Sequence, residues 1–319
     1  MKRFFSVDDV SNLDELVNDA ILTKKKPLNK SELGKGKTLG LVFLNSSLRT
    51  RLSTIKAAQN LGIKTLTLNA KQEAWLWEFE DGSIMNTNTV EHIKDAANVL
   101  SQYCDVIGLR CFAGLENKED DVSEKIYSLF EKYATVPLIS LESATLHPFQ
   151  SLADCITIKE NLSANKKPKI VLTWAPHIKS IPHAVANSFA QWMNRTDYDF
   201  VITHPEGYEL DAKFTQNAII EYDQKKALQD ADFVYIKNWS SFKNYGKIIS
   251  VKEDWMLTNK KLEKTNNAKI MHCLPVRRNI EVSDEVLDCK NSLIYEQANN
   301  RTFAAQIILE KIIESNEKS

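Results

Sequence analysis

Side chains suited to binding an anion cluster at the start of one predicted helix. Residues 39–44 form an apolar run of strand length, and residues 45–47 are of the types that cap helices. Arg49 falls in the first turn, where the positive end of the helix dipole disfavours a cation. Backbone N–H groups, the hydroxyls of Ser47 and Thr50 and an arginine fork at one helix start suit a phosphate or a carboxylate. The alternative is a well-capped helix whose arginines pair with surface acids.

Further polar residues follow the other predicted strands. In an open parallel sheet the ligand site lies beyond the carboxyl ends of the strands, so these residues are expected to meet. They include Arg110, Glu142, His147, Gln150, His177, His204, Lys237, Cys273, Arg277 and Arg278, and nearly every strand is followed by a group able to bind an anion or polarise a carbonyl. Each has an ordinary explanation by itself, such as a surface ion pair or a capped turn. Their joint occurrence predicts a binding site at a sheet edge.

The alternation of strand and helix patterns predicts an α/β fold with two domains, each a mostly parallel sheet with helices on both faces. The predicted strands are 39–44, 64–68, 106–109, 136–141, 170–174, 199–203, 233–236 and 270–274. The predicted helices between them include 91–103, 122–133, 184–193 and 211–217. A helix over 148–162 joins the halves, which gives domains 1–150 and 151–299. An amphipathic helix over 303–314 closes the chain.

Residues 71–89 interrupt this alternation, with Trp75, Trp77 and Phe79 among acidic and polar residues. A long loop that carries aromatic side chains is typical of a lid, of a contact with a partner, or of a flap over its own core. The sequence alone leaves these three interpretations of the segment open.

The composition limits the classes of partner. The 319 residues carry a formal net charge of -1, which argues against a nucleic-acid partner. The sequence has no run of transmembrane length and no secretory leader pattern, so we expect no membrane partner and a cytoplasmic location. Five cysteines without CxxC spacing and six histidines without ligand-like pairs predict neither a metal site nor a cofactor. With only nine glycines, phosphate binding would use arginines and helix starts instead of a glycine-rich loop.

Three motifs resemble those of the aspartate/ornithine carbamoyltransferase family. Residues 47–51 are similar to its S-x-R-T-R motif, residues 147–154 to its H-P-x-Q-x-L-x-D motif, and residues 272–275 to the H-C-L-P motif of the ornithine branch. The resemblance implies that domain 1–150 binds carbamoyl phosphate, with a C-terminal helix, 300–319, packing back on it. Domain 151–299 would bind the amine substrate. The family also implies a homotrimer with active sites shared between subunits.

The resemblance further implies roles for individual residues. Carbamoyl phosphate would be bound by Ser47, Leu48, Arg49, Thr50, Trp75, Arg110, His147, Gln150, Cys273, Leu274 and Arg301. The catalytic residues would be Arg49, Thr50, Arg110, His147 and Cys273. The amine attacks the carbonyl carbon, and the charge that develops on oxygen is stabilised electrostatically without a protein nucleophile. A helix start beneath His147 would favour the neutral form of its ring.

Departures from the ornithine branch indicate the amine substrate. Residues 235–239 lack the Ser-Met-Gly of that branch, and Lys237 stands where the family keeps an acid for the α-ammonium group. A lysine there fits a substrate whose α-nitrogen is blocked. Together with the Trp75 loop and the paired arginines after H-C-L-P, it resembles the branch that acts on N-acylated ornithine. Acylornithine would be bound by Glu142, His177, Lys237, Leu274, Arg277, Arg278 and Val90.

Val90, which directly precedes Glu91 and His92, bears on the acyl group. In the resembled branch, a glutamate at this position goes with an acetyl group and a small apolar residue with a succinyl group. A glutamate would repel the extra carboxylate of a succinyl arm, whereas valine carries no charge. We therefore expect carbamoylation of N-succinyl-L-ornithine to N-succinyl-L-citrulline, in arginine biosynthesis. The alternatives are N-acetyl-L-ornithine or plain ornithine as substrate, and a non-catalytic protein of the same fold that binds an anionic metabolite.

Overall fold

The computed structural model describes residues 1–163 and 167–317, and these divide into two units. The first unit contains Met1–Phe149 and the chain from Arg301 onward, and the second contains Gln150–Asn300. Residues 318 and 319 of the predicted C-terminal helix lie outside the described residues. Within the described ranges, no helix combines the length and the apolar character that crossing a membrane requires.

The first unit is built on a five-stranded sheet. The strands of this unit are β1 (Arg3–Phe4), β2 (Thr38–Phe43), β3 (Lys64–Asn69), β4 (Trp77–Glu78), β5 (Glu91–His92), β6 (Val106–Arg110) and β7 (Leu138–Glu142). Their order in the sheet is β1, β7, β6, β2, β3, and every neighbouring pair is parallel. Strands β4 and β5 pair separately. Burial of β6 at all of its residues, and of β2 at nearly all, is typical of parallel strands covered on both faces.

Helices alternate with these strands and supply the rest of the core. They are α1 (Leu13–Lys25), α2 (Arg49–Asn60), α3 (Ala70–Glu73), α4 (Ile93–Tyr103), α5 (Lys118–Val122) and α6 (Lys125–Tyr133). Helix α7 (Pro148–Glu160) follows β7 and continues into the second unit. Helices α4 and α6 bury one apolar face each, with Ile93 and Phe130 in the same core cluster as Leu109 of the sheet.

The second unit repeats this construction. Its strands are β8 (Lys169–Trp174), β9 (Asp199–Thr203), β10 (Ile219–Glu221), β11 (Phe233–Lys237) and β12 (Lys269–Met271), arranged in parallel in the order β10, β9, β8, β11, β12. Its helices are α8 (Ala184–Met193), α9 (Ala212–Thr215), α10 (Gln224–Leu228), α11 (Asn259–Leu262) and α12 (Asp284–Leu287). The long helix α13 (Ile294–Glu317) closes the chain. The predicted α/β fold with a mostly parallel sheet in each half is confirmed.

The start of α2 differs from the prediction. Residues 45–47 do not cap the helix, because its N-cap is Leu48, which makes no side-chain cap hydrogen bond. Asn45 instead accepts a hydrogen bond from the backbone N–H of Phe112, with its Oδ1 3.1 Å from that nitrogen. The asparagine therefore links the loop after β2 to the loop after β6, and the first turn of α2 has no capping side chain.

The segment over 71–89 is partly ordered by α3 and by the pairing of β4 with β5. Trp77 is 8% exposed and packs in the core cluster, with Phe79 partly buried against the same cluster. Trp75 is 64% exposed. The flap interpretation is therefore confirmed for Trp77 and Phe79, whereas Trp75 takes no part in the core.

Several element bounds were also predicted wrongly. Strand β12 ends at Met271 instead of residue 274, because the chain turns there, with Leu274 at φ 56° and its N–H donating to His272 Nδ1. The predicted helix 122–133 begins later, as α6 at Lys125, because Ser123 and Glu124 separate it from α5 and Glu124 has φ 55°. Helix α13 begins at Ile294, nine residues before the predicted start at residue 303.

Candidate active site

Six predicted site residues of the first unit come together beyond the carboxyl ends of β2, β6 and β7. They are Arg49 and Thr50 at the start of α2, Arg110 at the end of β6, Glu142 at the end of β7, His147 just before α7, and Arg301 on α13. We call them the arginine cluster. Since these three strands are adjacent and parallel, their carboxyl ends deliver the loops that follow them to the same sheet edge.

The Thr50 hydroxyl lies at the centre of the arginine cluster. Arg301 Nη2 donates to Thr50 Oγ1 at 2.5 Å, and Arg110 Nη1 lies 3.5 Å from the same oxygen. Arg110 also donates to the carboxylate of Glu142. The three side chains linked to Thr50 in this way are buried or nearly so. Three guanidinium groups face one carboxylate among the six side chains, so the cluster favours an added anion.

His147 is held in its neutral form. Burial lowers the pKa of its ring well below the ordinary value, and the charges of Arg301, Arg110 and Arg49 lower it further. The neutral form was predicted from the helix start beside His147, and burial and the three arginines lower the pKa in the same direction. Arg301 Nη2 donates to His147 Nε2 at 3.3 Å, so the ring proton of neutral His147 stands on Nδ1. Within residues 1–163 and 167–317, Nδ1 has no hydrogen-bond partner.

The first turn of α2 adds backbone donors to the arginine cluster. Its N-cap, Leu48, provides no capping side chain, and no acidic residue lies in the first turn. The positive end of the helix dipole and the N–H groups of this turn therefore remain available to a ligand. Ser47 is half-buried and Leu48 is exposed beside them.

Trp75 and Val90 occupy the segment between α3 and β5. Both are exposed, and the backbone N–H of Val90 donates to the carbonyl of Leu76 at 2.9 Å. Trp77, by contrast, donates its indole N–H to Glu91 at 3.1 Å and is buried. Of the two tryptophans, Trp75 is the one whose ring is accessible in the chain by itself.

A second polar group lies beyond the strands of the second unit, and we call it the Glu281 cluster. Glu281 is 1% exposed, and its carboxylate lies 3.0 Å from His272 Nε2 and accepts from the backbone N–H of Arg277 at 3.0 Å. His177 Nε2 lies 3.9 Å from the same carboxylate, and Arg277 Nε donates to His177 at 3.4 Å. Lys237 is buried and close enough to act electrostatically on both Glu281 and His177.

The charges in the Glu281 cluster shift the pKa values of its members. Burial opposes ionisation of Glu281, but the hydrogen bond and charge of His272, with the charge of Lys237, lower its pKa overall. Burial lowers the pKa of His177, and the charges of Lys237 and Arg277 act in the same direction. Sequence reasoning missed Glu281. The only indication in the sequence was an acidic residue four positions after Arg277. That spacing is common in loops, so it does not by itself predict a buried carboxylate.

The remaining predicted residues have other partners. Gln150 donates its amide to Asp154 at 2.8 Å. Arg278 donates to Asp284 at 2.7 Å and forms a two-point ion pair with Asp288. Cys273 is buried, and Leu274 is the next residue in the chain. His204 is also buried, and its ring packs against the rings of Tyr222 and Trp239. The structure therefore places Arg277, and not Arg278, in the Glu281 cluster.

Comparison with known proteins covers nearly the whole chain. The carbamoyl-P binding domain of aspartate/ornithine carbamoyltransferase matches residues 2–160, and its Asp/Orn binding domain matches residues 182–312. An N-succinylornithine carbamoyltransferase of Bacteroides fragilis (strain 638R) is 48% identical over 99% of both chains. An N-acetylornithine carbamoyltransferase of Xanthomonas axonopodis pv. citri (strain 306) is 34% identical over 97% of this chain and 96% of the relative.

Solved structures are similar over the same length. The crystal structure of acetylornithine transcarbamylase complexed with acetylcitrulline superposes with a TM-score of 0.89 at 31% identity, covering 98% of this chain and 99% of the other. A glutamate-to-valine variant of N-acetyl-L-ornithine transcarbamylase, complexed with carbamyl phosphate and N-succinyl-L-norvaline, also superposes with a TM-score of 0.89. It is 32% identical, with 98% of this chain and 100% of the other covered.

Proposed function

Because the chain belongs to the aspartate/ornithine carbamoyltransferase family, we propose that it transfers the carbamoyl group of carbamoyl phosphate to the δ-amine of N-succinyl-L-ornithine. The products are N-succinyl-L-citrulline and phosphate, formed in the cytoplasm for arginine biosynthesis. The main observation in support of this reaction is the arginine cluster, in which buried Arg110, Arg301 and neutral His147 lie at the start of α2.

The first unit binds carbamoyl phosphate in this proposal. The phosphate lies at the start of α2, where Ser47, Leu48, Arg49 and Thr50 offer backbone N–H groups, hydroxyls and a guanidinium group. Arg301 reaches the same place through Thr50. The uncapped first turn supports this assignment, because a phosphate takes the place that a capping side chain fills in other helices.

The carbamoyl group is bound by Arg110 and His147. As the δ-amine attacks the carbonyl carbon, negative charge develops on the carbonyl oxygen, and we assign Arg110 and neutral His147 as the donors for it. The bond to the phosphate oxygen then breaks, and the departing phosphate takes the proton that the amine loses. The other residues proposed to bind carbamoyl phosphate are Gln150, Cys273 and Leu274, which contact the carbamoyl group, and Trp75, which contacts the phosphate.

The second unit binds the acylornithine through the Glu281 cluster. We assign the positive charges of Lys237 and Arg277 to the substrate carboxylates, with His177 positioned by its hydrogen bond from Arg277. Leu274 is assigned to the same substrate, and Glu142 to the δ-amine. An acylated α-nitrogen carries no charge, so a buried lysine at position 237 is compatible with it. Arg278 belongs to the proposed set, although its two carboxylate partners, Asp284 and Asp288, make Arg277 the better donor.

Two observations favour a succinyl over an acetyl group. The B. fragilis relative at 48% identity bears the succinylornithine name, whereas the X. axonopodis acetylornithine relative is 34% identical. The glutamate-to-valine variant of the acetylornithine enzyme was complexed with N-succinyl-L-norvaline, and we assign Val90 to the position of that valine. Uncharged Val90 leaves the second carboxylate of a succinyl arm without a repelling neighbour.

The experiment that tests the function compares three amines. Purified protein is supplied with carbamoyl phosphate and N-succinylornithine, N-acetylornithine or ornithine, and the ureido product is measured. We expect the highest kcat/KM with N-succinylornithine, and a Val90→Glu variant should lose that activity and gain activity on N-acetylornithine. Preference of the wild-type protein for N-acetylornithine would replace the proposed substrate. Binding of carbamoyl phosphate without any ureido product would instead favour a non-catalytic binding protein.

The proposal includes a homotrimer whose subunits share active sites. The exposed apolar side chains of Trp75, Leu76, Ile84 and Val90 on one segment support an interface there. Sedimentation velocity should give a particle of three chains. We assign the phosphate contact of Trp75 to the active site of the neighbouring subunit, so a Trp75→Ala variant that keeps the trimer should still lose turnover.

A further inference from the structure

We propose that Glu124 is a positioning residue, which sets the places of Glu142 and His147 by holding the loop between them; this inference rests on the proposed function. Glu124 acts on both residues through the chain that joins them. Its carboxylate binds the loop over residues 143–146, which begins directly after Glu142 and ends directly before His147.

The carboxylate of Glu124 accepts four hydrogen bonds from three consecutive residues. Ser143 Oγ donates to Oε1 at 2.7 Å, and Ala144 N donates to Oε2 at 3.1 Å. Thr145 donates twice to Oε1, through its backbone N–H at 2.7 Å and its hydroxyl at 2.5 Å. One buried side chain therefore gathers donors from three successive residues of the loop.

The loop also has hydrogen bonds of its own, which close it onto itself. Ser143 N donates to the carbonyl of Leu146 at 2.8 Å, and Leu146 N donates to Ser143 Oγ at 3.2 Å. These bonds fix the shape of the turn. The bonds from Glu124 fix the place of the turn relative to α6, and hence the separation of Glu142 from His147, whose Nε2 lies 3.6 Å from the Glu142 carboxylate.

The chemistry of the site requires a carboxylate. All four groups around it are donors, and an ionised carboxylate is an acceptor only, with about four lone-pair positions. A glutamine would have to turn an N–H group toward at least one of these donors. Burial raises the pKa of Glu124, and the hydrogen bonds from Thr145 and Ser143 oppose that shift.

The backbone gives a second reason to assign a role to this side chain. Glu124 has φ 55° and ψ 37°, a left-handed conformation that glycine or asparagine adopts at lower cost. The connection between α5 and α6 therefore does not by itself favour glutamate. The four bonds to the loop over residues 143–146 explain why a glutamate stands there.

Loss of these bonds should affect the reaction more than the binding of carbamoyl phosphate. The phosphate is assigned to α2, which the loop does not carry, whereas His147 and Glu142 border the loop at both ends. Displacement of a catalytic group by about 1 Å can cost on the order of a hundredfold in rate. The groups that face His147 are Glu142, Arg301, Arg110 and Arg49. A looser loop would move the ring away from these arginines and raise its pKa toward the ordinary value.

The experiment compares Glu124→Gln and Thr145→Val with Glu131→Gln. Glu131 is the control because it is also a glutamate near α6 with a hydrogen-bonded carboxylate, but it is partly exposed and accepts from Arg3 Nη1 at 3.0 Å instead of from the loop over residues 143–146. For each variant we would measure kcat with N-succinylornithine, the Kd for carbamoyl phosphate by calorimetry, the melting temperature, and the pH dependence of kcat. His147 is followed independently through its ring proton signals during a pH titration, assigned by their absence in His147→Gln.

We expect Glu124→Gln to lower kcat at least about tenfold, with less than about a threefold change in the Kd and with the acid limb of the profile moved to higher pH. Thr145→Val should change the same quantities less, and Glu131→Gln should match the wild type.

Unchanged kcat and an unchanged His147 titration in Glu124→Gln would overturn the proposal. So would parallel losses of kcat, carbamoyl-phosphate binding and melting temperature, which indicate a general structural role. An inactive wild-type protein would refute the proposed reaction, and the His147 titration would then still decide the role of Glu124.

Discussion

Substitution of Thr50 by valine tests whether one hydroxyl organises the arginine cluster. Valine keeps the shape of the buried threonine but removes the oxygen that accepts from Arg301 at 2.5 Å and faces Arg110 at 3.5 Å. A hydrogen bond to a charged group contributes about 1.5–3 kcal/mol, and its loss leaves a buried donor unsatisfied. We expect the free energy of unfolding to fall by about that amount. For domains of this size the melting temperature should fall by about 3 to 12 °C.

The same change should weaken carbamoyl-phosphate binding. If the hydrogen bond of the hydroxyl to the charged phosphate contributes about 1.5–3 kcal/mol to binding, its loss raises the Kd by about 10- to 150-fold. Calorimetric titration gives the Kd, and scanning calorimetry gives the melting temperature. Thr54→Val is the control, because Thr54 is equally buried on the same helix one turn later. A Thr50→Val protein with wild-type melting and wild-type affinity would refute the central place given to this hydroxyl.

Two further predictions follow from the pKa of His147 and from the two arginines after β12. The folded protein holds the pKa of His147 well below its ordinary value of 6.5, so below about pH 6.5 the unfolded chain binds a proton that the folded chain excludes. The free energy of unfolding should therefore decrease as the pH falls from 6.5, by up to about 1.4 kcal/mol per pH unit from this group, and denaturant titrations should show a smaller decrease in His147→Gln. Arg277→Ala should raise the KM for N-succinylornithine more than about tenfold, whereas Arg278→Ala should raise it less than about threefold, since Arg278 is engaged by Asp284 and Asp288. Equal effects of the two substitutions in steady-state kinetics would contradict the placement of Arg277 in the substrate site.

The position of Arg110 was predictable because it depends on a strong local pattern. A short, wholly apolar run defines β6, and the rule that parallel strands end at a common edge then brings Arg110 to the residues that follow β2 and β7. The same reasoning located Glu142 and Lys237 at strand ends. The ion pair between Arg110 and Glu142 could not be predicted, because the strand pattern shows at which edge of the sheet a residue lies but not which side chain it contacts.

Contacts between distant segments were beyond reach of sequence patterns. Arg301 approaches Thr50 and His147 from a helix more than 150 residues away, and only the family resemblance pointed to it. Glu124 and Glu281 lie on irregular chain where no periodicity separates a buried acid from an exposed one. The start of α2 was misjudged for a related reason, since Asn45 bonds to Phe112 in another loop.

A crystal structure of the protein with carbamoyl phosphate bound tests most directly whether the arginine cluster is the carbamoyl-phosphate site. We predict phosphate oxygens within about 3 Å of the first-turn N–H groups of α2 and of Thr50 Oγ1, with the carbamoyl oxygen at the same distance from Arg110 and His147. Carbamoyl phosphate bound elsewhere, with the arginine cluster unchanged and empty, would contradict this prediction.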